Sequence, residues 1–394
     1  MLLALLFLLN QQAHAQFEVD ATNYTTPLKQ LTPAEYPHFN DDLDLADIEL
    51  AIQRQLVRFQ SKSLVGTVTM GTHKYPLKLA KDSLDVFLQL VANFKSCAAN
   101  KPKNVCYDQL NAEIVNRYDI FQPDLKAGDP RYGQPNESFF TGYHTHPIDG
   151  RSNPTGDYKY AIYKNPGAPL SSKTREEIDF NGALKGKGLE IVYTKDLFDL
   201  YLLHVEGGGY ITESNNGVTN SYYISYDGQN GQKWNWISKY MMEKGYITNP
   251  SIAAQRKYIR LHPEKHQEIF KTCPSYVFYK VTTHPPTGSD LVSLVDGRAI
   301  ATDNKLYAFK GLLAFVQTNR AVDLGTYDME EEDATKIPYQ PFARFLLDQD
   351  TGGAITGKGR ADIYFGKTPY AYYAASYQAQ EGKLMYLMLK DPGP

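Results

Sequence analysis

Residues 41–65 are polar in general but carry Leu43, Leu45, Ile48, Leu50, Ile52, Leu56 and Phe59 near the spacing of one helix face. Residues 83–94 and 108–117 repeat that period and predict a second and a third helix. From Phe139 the texture changes to short apolar runs broken by Gly and Pro, the pattern of strands. Such runs are Phe139-Phe140-Thr141-Gly142-Tyr143, Glu190-Ile191-Val192-Tyr193 and Leu200-Tyr201-Leu202-Leu203-His204-Val205. Residues 234–244 and 251–270 are helical again. Strands are expected at 276–281, 291–301, 312–317, 342–347 and 383–389. There is no internal repeat and no low-complexity tract. The acidic run Met329-Glu330-Glu331-Glu332-Asp333 is expected to be a solvated loop.

Composition adds limits to this pattern. The 394 residues hold 41 Lys plus Arg and 44 Asp plus Glu, a formal net charge of −3. A nucleic-acid binder would carry a strong basic excess, so that class is set aside. Apolar residues are 42% and charged residues 22%, values of a folded globular chain rather than a disordered or multi-pass membrane one. Tyr is abundant at 30, with 29 Gly and 22 Pro, which favours strands and turns.

The N-terminal run Leu2 to Leu9 is too short to span a bilayer and ends at Ala13-His14-Ala15. It predicts an export signal over residues 1–15, with a soluble periplasmic or secreted mature chain and no lipid-attachment Cys after the run. An oxidising compartment permits disulfides. Cys97 and Cys106 flank a turn-rich connector between two helical patterns and are the expected pair, with Cys273 left over and buried. No Cys-x-x-Cys spacing points to a metal.

Chemistry concentrates near the C-terminus. Asp350 and Asp362 each end an apolar run and border Gly-rich turns, Asp350-Thr351-Gly352-Gly353-Ala354 and Gly357 to Gly359. Paired carboxylates can divide acid and base roles if their surroundings separate their pKa values. They can equally be turn residues capping their own loops. Asp350-Thr351-Gly352 also resembles the aspartic-protease signature, but one copy per chain would require a dimer. His144-Thr145-His146 places two rings on one face of an expected strand. Zinc would need a third ligand, and spacing offers none, so a strand-end pair is the plainer reading. Glu206-Gly207-Gly208-Gly209 follows an apolar run without the Lys-Ser/Thr of a phosphate loop.

Seven blocks in order resemble the membrane-bound lytic murein transglycosylase A family, from Phe139 to the C-terminus. They are Phe140-Thr141-Gly142-Tyr143; Thr174 to Ile178 with Gly182 to Glu190; Leu203 to Gly209; Tyr226 to Gly231; Pro274 to Tyr279; Gly297-Arg298 with Ala301-Thr302-Asp303; and Gln349 to Ile355 with Ala361 to Tyr364. Glu206 stands where the family commonly has Gln, and Gly208 where it has Ser.

The resemblance implies a mainly β fold with N-terminal helices: a double-psi β-barrel with an inserted smaller β-barrel domain. The barrel domain would use residues 16–141 and 246–394, with a three-aspartate module from about 285 to 394 and the insertion over 142–245. It implies a lytic transglycosylase that cuts the β-1,4 bond between N-acetylmuramic acid and N-acetylglucosamine without water. Asp362 would be the acid and then the base, with Asp350 and Asp303 in support. Thr141, Gly142, Tyr143, Glu206, Gly207, Gly208, Gly209, Tyr226, Ser275, Gly352, Gly353, Ala354 and Tyr364 would line the glycan groove. The expected partner is peptidoglycan, with peripheral association with the outer membrane or cell-wall complexes, and the chain is expected to be a monomer. No metal or organic cofactor is implied. The alternative is a non-catalytic peptidoglycan-binding protein on the same fold.

Overall fold

The computed structural model describes residues 21–126, 129, 137–215 and 218–391. The expected export signal lies outside them. The first part of the chain forms β1 (Thr22–Thr26), β2 (Leu28–Gln30), α1 (Ile48–Ser61), β3 (Gly66–Met70), β4 (His73–Pro76), α2 (Leu77–Ala98), α3 (Lys103–Arg117), β5 (Tyr118–Pro123) and β6 (Ser138–Tyr143). Next come β7 (His146–Arg151), β8 (Tyr160–Tyr163), β9 (Glu190–Thr194), α4 (Leu197–Glu206), β10 (Gly208–Asn215), β11 (Val218–Gln229), α5 (Ile237–Glu243), α6 (Ile252–Leu261), α7 (His266–Phe270) and β12 (Val277–Thr282). The last part holds β13 (Ala299–Thr302), β14 (Leu312–Ala321), β15 (Tyr339–Asp350), β16 (Arg360–Tyr364), α8 (Pro369–Tyr377) and β17 (Ala379–Leu389).

The largest sheet runs β14-β15-β13-β16-β6-β17-β5-β2, and β14 also pairs with β17. That extra pairing closes six strands into a ring, which removes the sheet's exposed edges there. Strands β12-β11-β10-β7-β9-β8 form a second sheet. A parallel bridge from Lys164, just past β8, to Tyr279 of β12 draws its two outer strands together. The molecule is thus mainly β, with barrel-shaped sheets and helices packed outside. Helices α1 and α2 cover the ring through a shared apolar core. Phe87 of α2 lies 4.7 Å from Phe345 of β15, which lies 4.7 Å from Phe315 of β14.

The ring and the N-terminal segment are also tied by charge. Arg298 is fully buried and donates to both oxygens of Asp41, at 2.6 and 3.0 Å, and to the Phe345 carbonyl at 2.9 Å. A buried guanidinium is tolerable only when its donors are matched in this way. Cys97 and Cys106 form a disulfide that joins the end of α2 to α3, while Cys273 is a buried free thiol.

Three sequence expectations change. Residues 200–205 are helical, within α4, and not a strand. Asp196 caps that helix by accepting from Phe198 N–H at 2.7 Å and Asp199 N–H at 3.1 Å, and Gly207 ends it at φ 74°. Of residues 291–301 only the last three enter a strand, β13. Asp362 sits in the middle of β16 rather than at a strand end.

The second sheet also runs past residue 245, the end expected for the insertion. Strand β12 pairs with β11, Tyr223 opposite Thr282. Ile237, Met241, Ile259, Ile269 and Phe270 of α5 to α7 share a core with Leu203, Ile211 and Ile224. Among the described residues no helix is long and apolar enough to cross a membrane.

Candidate functional site

Four neighbouring ring strands bring the key residues into register. Asp362 of β16 is opposite Thr141 of β6 on one side and Ala301 of β13 on the other. Ala301 is in turn opposite Asp350 at the end of β15, just past a register shift. Two carboxylates therefore flank one small residue. The Thr141 hydroxyl donates to Asp362 Oδ1, and Arg360 Nη1 lies 3.0 Å from the same oxygen. Asp350 Oδ1 accepts from Ser289 N–H at 2.9 Å and Thr351 N–H at 2.8 Å, with the Tyr143 hydroxyl beside it. Burial still pushes the Asp350 carboxyl above the usual range, against those hydrogen bonds.

Asp303 works one layer away. Its Oδ2 accepts from Gly357 N–H at 2.8 Å and its Oδ1 from Lys305 N–H at 2.9 Å, so it holds the loop after β15 in place. Gly142 allows a close approach: a Cβ there would come within 2.7 Å of Ala375 in α8 and 2.8 Å of the Phe365 ring. Helix α8 thus packs against the backbone next to Asp362's register partner.

These residues face a groove between the two large sheets. One lobe, of about 830 Å³, is lined by Gly142, Asp350, Gly352, Gly353, Ala354, Arg360, Asp362 and the indoles of Trp234 and Trp236. The other, of about 540 Å³, is lined by Gly207, Gly208, Tyr226, Lys280, His284, Leu294 and Tyr364. Tyr143, Glu206 and Asp350 border both lobes and form the waist of the groove. Flat rings beside carboxylates suit a sugar chain, whose apolar faces stack and whose hydroxyls bond. The Tyr364 hydroxyl shares a 2.5 Å hydrogen bond with Thr145.

Glu206 is the last residue of α4 and reaches the waist over the β6–β7 turn. Its Oε2 accepts from His144 N–H at 3.4 Å. Burial raises this carboxyl to about 8; the His144 N–H opposes that rise, and the nearby Asp362 charge adds to it.

The structure gathers most of the expected site residues. Asp362, Asp350, Gly142, Tyr143, Glu206, Gly207, Gly208, Tyr226, Gly352, Gly353, Ala354 and Tyr364 border the groove. Thr141 reaches it through Asp362, and Asp303 through its loop. Gly209 lies in β10 opposite His146 and borders neither lobe. Ser275 is buried elsewhere, its carbonyl accepting from Arg175 at 2.9 Å. Sequence reasoning missed Arg360 and the two indoles. Trp234-Asn235-Trp236 holds both Trp residues of the chain, a signal that was there to be used.

A closed ring that sets two aspartates beside a long groove, walled on its far side by a second β-sheet, defines a two-sheet carboxylate-bearing binding protein or enzyme. Comparison narrows the class. The chain matches the MltA specific insert domain over residues 139–280 and the 3D domain over residues 298–388, and it belongs to the membrane-bound lytic murein transglycosylase A family. It is 27% identical over 298 residues to the membrane-bound lytic murein transglycosylase A of Vibrio cholerae, covering 72% of this chain and 76% of that one. It is 29% identical over 252 residues to that of Escherichia coli K12, covering 63% and 65%. The crystal structure of Escherichia coli MltA with bound chitohexaose superposes with a TM-score of 0.64 at 23% identity, over 94% of this chain and 96% of that one.

Proposed function

We propose that this chain is an exported peptidoglycan lytic transglycosylase that works at the periplasmic face of the cell wall, as a monomer in peripheral association with the outer membrane. The relatives it matches are named lytic murein transglycosylases, and one structural neighbour binds chitohexaose, a hexasaccharide. On this reading the ring is a double-psi barrel, and the second sheet is the family's inserted domain.

The observation that carries the reading is Asp362 on the groove side of β16, held by Thr141 and flanked by Asp350. Asp362 donates a proton to the glycosidic oxygen between N-acetylmuramic acid and N-acetylglucosamine. The bond breaks as positive charge grows at C1 of the muramic residue. Asp362, now a carboxylate, takes the proton of the muramic C6 hydroxyl while that oxygen bonds to C1. The products are a 1,6-anhydro-muramic end and a free N-acetylglucosamine hydroxyl, and no water is consumed. The second step is intramolecular, where effective molarities of about 10⁵ M or more are available.

The contact with Arg360 favours the ionised form, the one the second step uses. A glycan filling the groove strips water from Asp362 and acts the other way, towards the acid of the first step. Asp350 and Asp303 support the loops that frame the site.

The test is mass spectrometry of peptidoglycan incubated with the mature protein. Fragments ending in 1,6-anhydro-muramic acid are expected. Fragments with free reducing ends would replace the mechanism with hydrolysis. Binding without any product would favour the non-catalytic peptidoglycan binder.

A further inference from the structure

The larger lobe of the groove is also bordered by His204, a residue of α4 that the reaction above does not use. The side chain is only 4% exposed. Its Nδ1 lies 2.8 Å from Arg175 Nη2. Arg175 is fully buried and firmly held. It donates from Nε to the Cys273 carbonyl at 3.1 Å and from Nη2 to the Ser275 carbonyl at 2.9 Å, and its Nη1 lies 3.5 Å from Asp179. The guanidinium stands over the rings of Tyr201 and Tyr276, 5.4 Å from each centroid.

That contact fixes the histidine's tautomer. A guanidinium has donors only, so His204 Nδ1 must accept and is bare. The ring then carries its one proton on Nε2. A doubly protonated ring is excluded, because it would set Nδ1–H against an Arg175 N–H across 2.8 Å. The Nε2–H group is shielded from solvent and has no hydrogen-bond partner among the described residues. The indole N–H of Trp234, which can only donate, is in the same condition and borders the same lobe. Trp234 stacks at 5.3 Å on Tyr201, the ring that Arg175 also covers, so the two donors belong to one cluster. A shielded donor left unpaired is costly. Two of them on one wall of a groove suit an acceptor from outside the chain.

We infer that His204 Nε2–H and Trp234 Nε1–H form a subsite for the acetamido carbonyl oxygen of a sugar residue, so that this lobe selects N-acetylated over N-deacetylated glycan. The inference rests on the glycan reading of the groove. An amide carbonyl only accepts, which matches a pair of donors, whereas a hydroxyl needs an acceptor as well. The acetamido methyl also has a surface to meet. Trp234 and Trp236 stand edge to face at 5.8 Å, and Trp236 is 49% exposed. Deacetylation puts an ammonium in the place of the amide. An ammonium only donates, and its charge would face two N–H groups with the Arg175 guanidinium behind His204. Such a site rejects the altered sugar more strongly than lost contact area alone would.

The experiment measures binding by calorimetry to Asp362→Asn protein, at one pH and one salt concentration, with two probes: the hexamer of N-acetylglucosamine and the hexamer of glucosamine. Adding Trp234→Phe or His204→Phe should lower the ratio of the two affinities by about tenfold or more, through weaker binding of the acetylated hexamer. Lost stacking would weaken both hexamers alike, and an internal water bonded to these donors would leave both unaffected. An unchanged ratio therefore overturns the subsite. His204→Gln keeps an acceptor for Arg175 and a donor beyond it, and should restore most of the ratio. Trp234→Phe decides alone if His204→Phe does not fold. Nitrogen-15 NMR of histidine-labelled protein reads the tautomer without ligand, with the His204 signals identified by their loss in His204→Gln. A bare Nδ1 and a protonated Nε2 are expected, and a proton on Nδ1 would overturn the inference. Peptidoglycan cleavage by the wild type separates the two failures. Product with an unchanged ratio defeats the subsite alone. No product and no binding of either hexamer defeats the glycan reading, and the subsite with it.

Discussion

At the scale of single residues, the sequence marked the carboxylates but not their surroundings. Asp350 and Asp362 stood out because glycines border them, and Thr141 because it belongs to a short block with Gly142. Their meeting is a matter of register, since Asp362 and Asp350 oppose the same residue, Ala301, from two strands. The partner of Glu206 was out of reach, because it depends on how a turn at His144 lies against a helix end. Ser275 misled because its block is structural: the backbone carbonyl, not the side chain, is used by Arg175. The prediction at this scale concerns Asp362. Asparagine keeps its shape and the Thr141 contact but can neither give nor take the proton. Asp362→Asn should lower anhydro-product formation by about 10³-fold or more. Glycan binding, measured by co-sedimentation with peptidoglycan, should stay within about threefold, because the lost interaction belongs to the transition state. Full activity in this variant would remove Asp362 from the mechanism.

At the scale of elements, period decided what was legible. Strands β6, β9, β14, β15 and β17 announced themselves as apolar runs, and α1 to α3 by their spacing of three and four. Helix α4 did not. Leu197, Phe198, Leu200, Tyr201, Leu202 and Leu203 are all buried, so the helix is apolar all round and reads like a buried strand. Its cap at Asp196 and its stop at Gly207 were the clues that period alone could not supply. Helix α8 was overlooked for a related reason, its mixture of Ala and Tyr showing no polar face. The prediction here concerns the α2–α3 pair. The disulfide closes a loop with a sequence separation of 9. Closing so short a loop restricts the unfolded chain by about 2–3 kcal/mol. Replacing both Cys97 and Cys106 by Ser should lower the unfolding free energy by that amount in a urea titration. The cleavage rate should not change, because neither residue borders the groove. A loss of activity matching the loss of stability would show that the helix pair shapes the groove.

For the whole molecule, buried titratable groups set a pH window for stability, and the sign of each can be worked out. Burial raises Glu206 from 4.5 to about 8 and, against Arg175 and Tyr276, raises Asp179 from 3.8 to about 6. Between its two values each group binds a proton in the fold but not in the unfolded chain, so rising pH costs stability. His144 and His204 go the other way. Burial holds both well below 6.5, so below that pH the unfolded chain binds protons the fold refuses, and falling pH costs stability. From about pH 4.5 to 6 the two carboxyls and the two imidazoles offset one another. Below that range the imidazoles act with Asp199, whose depressed value of about 2 adds to the loss. Above about pH 6.5 Glu206 acts alone, up to about 8. Unfolding free energies measured by urea titration should therefore be level from about pH 4.5 to 6.5 and fall below it. Towards pH 8 they should fall by at most about 1.4 kcal/mol per pH unit, the linkage of one proton. Glu206→Gln carries no proton to lose and should abolish the alkaline fall; it also leaves one imidazole unopposed, so its stability should decline as pH falls from about 6.5 to 4.5, where the wild type is level. A wild-type curve that stays level from pH 6.5 to 8 would mean that Glu206 is already ionised in the fold. The groove would then hold a fixed second charge beside Asp362 instead of one that appears only in alkali.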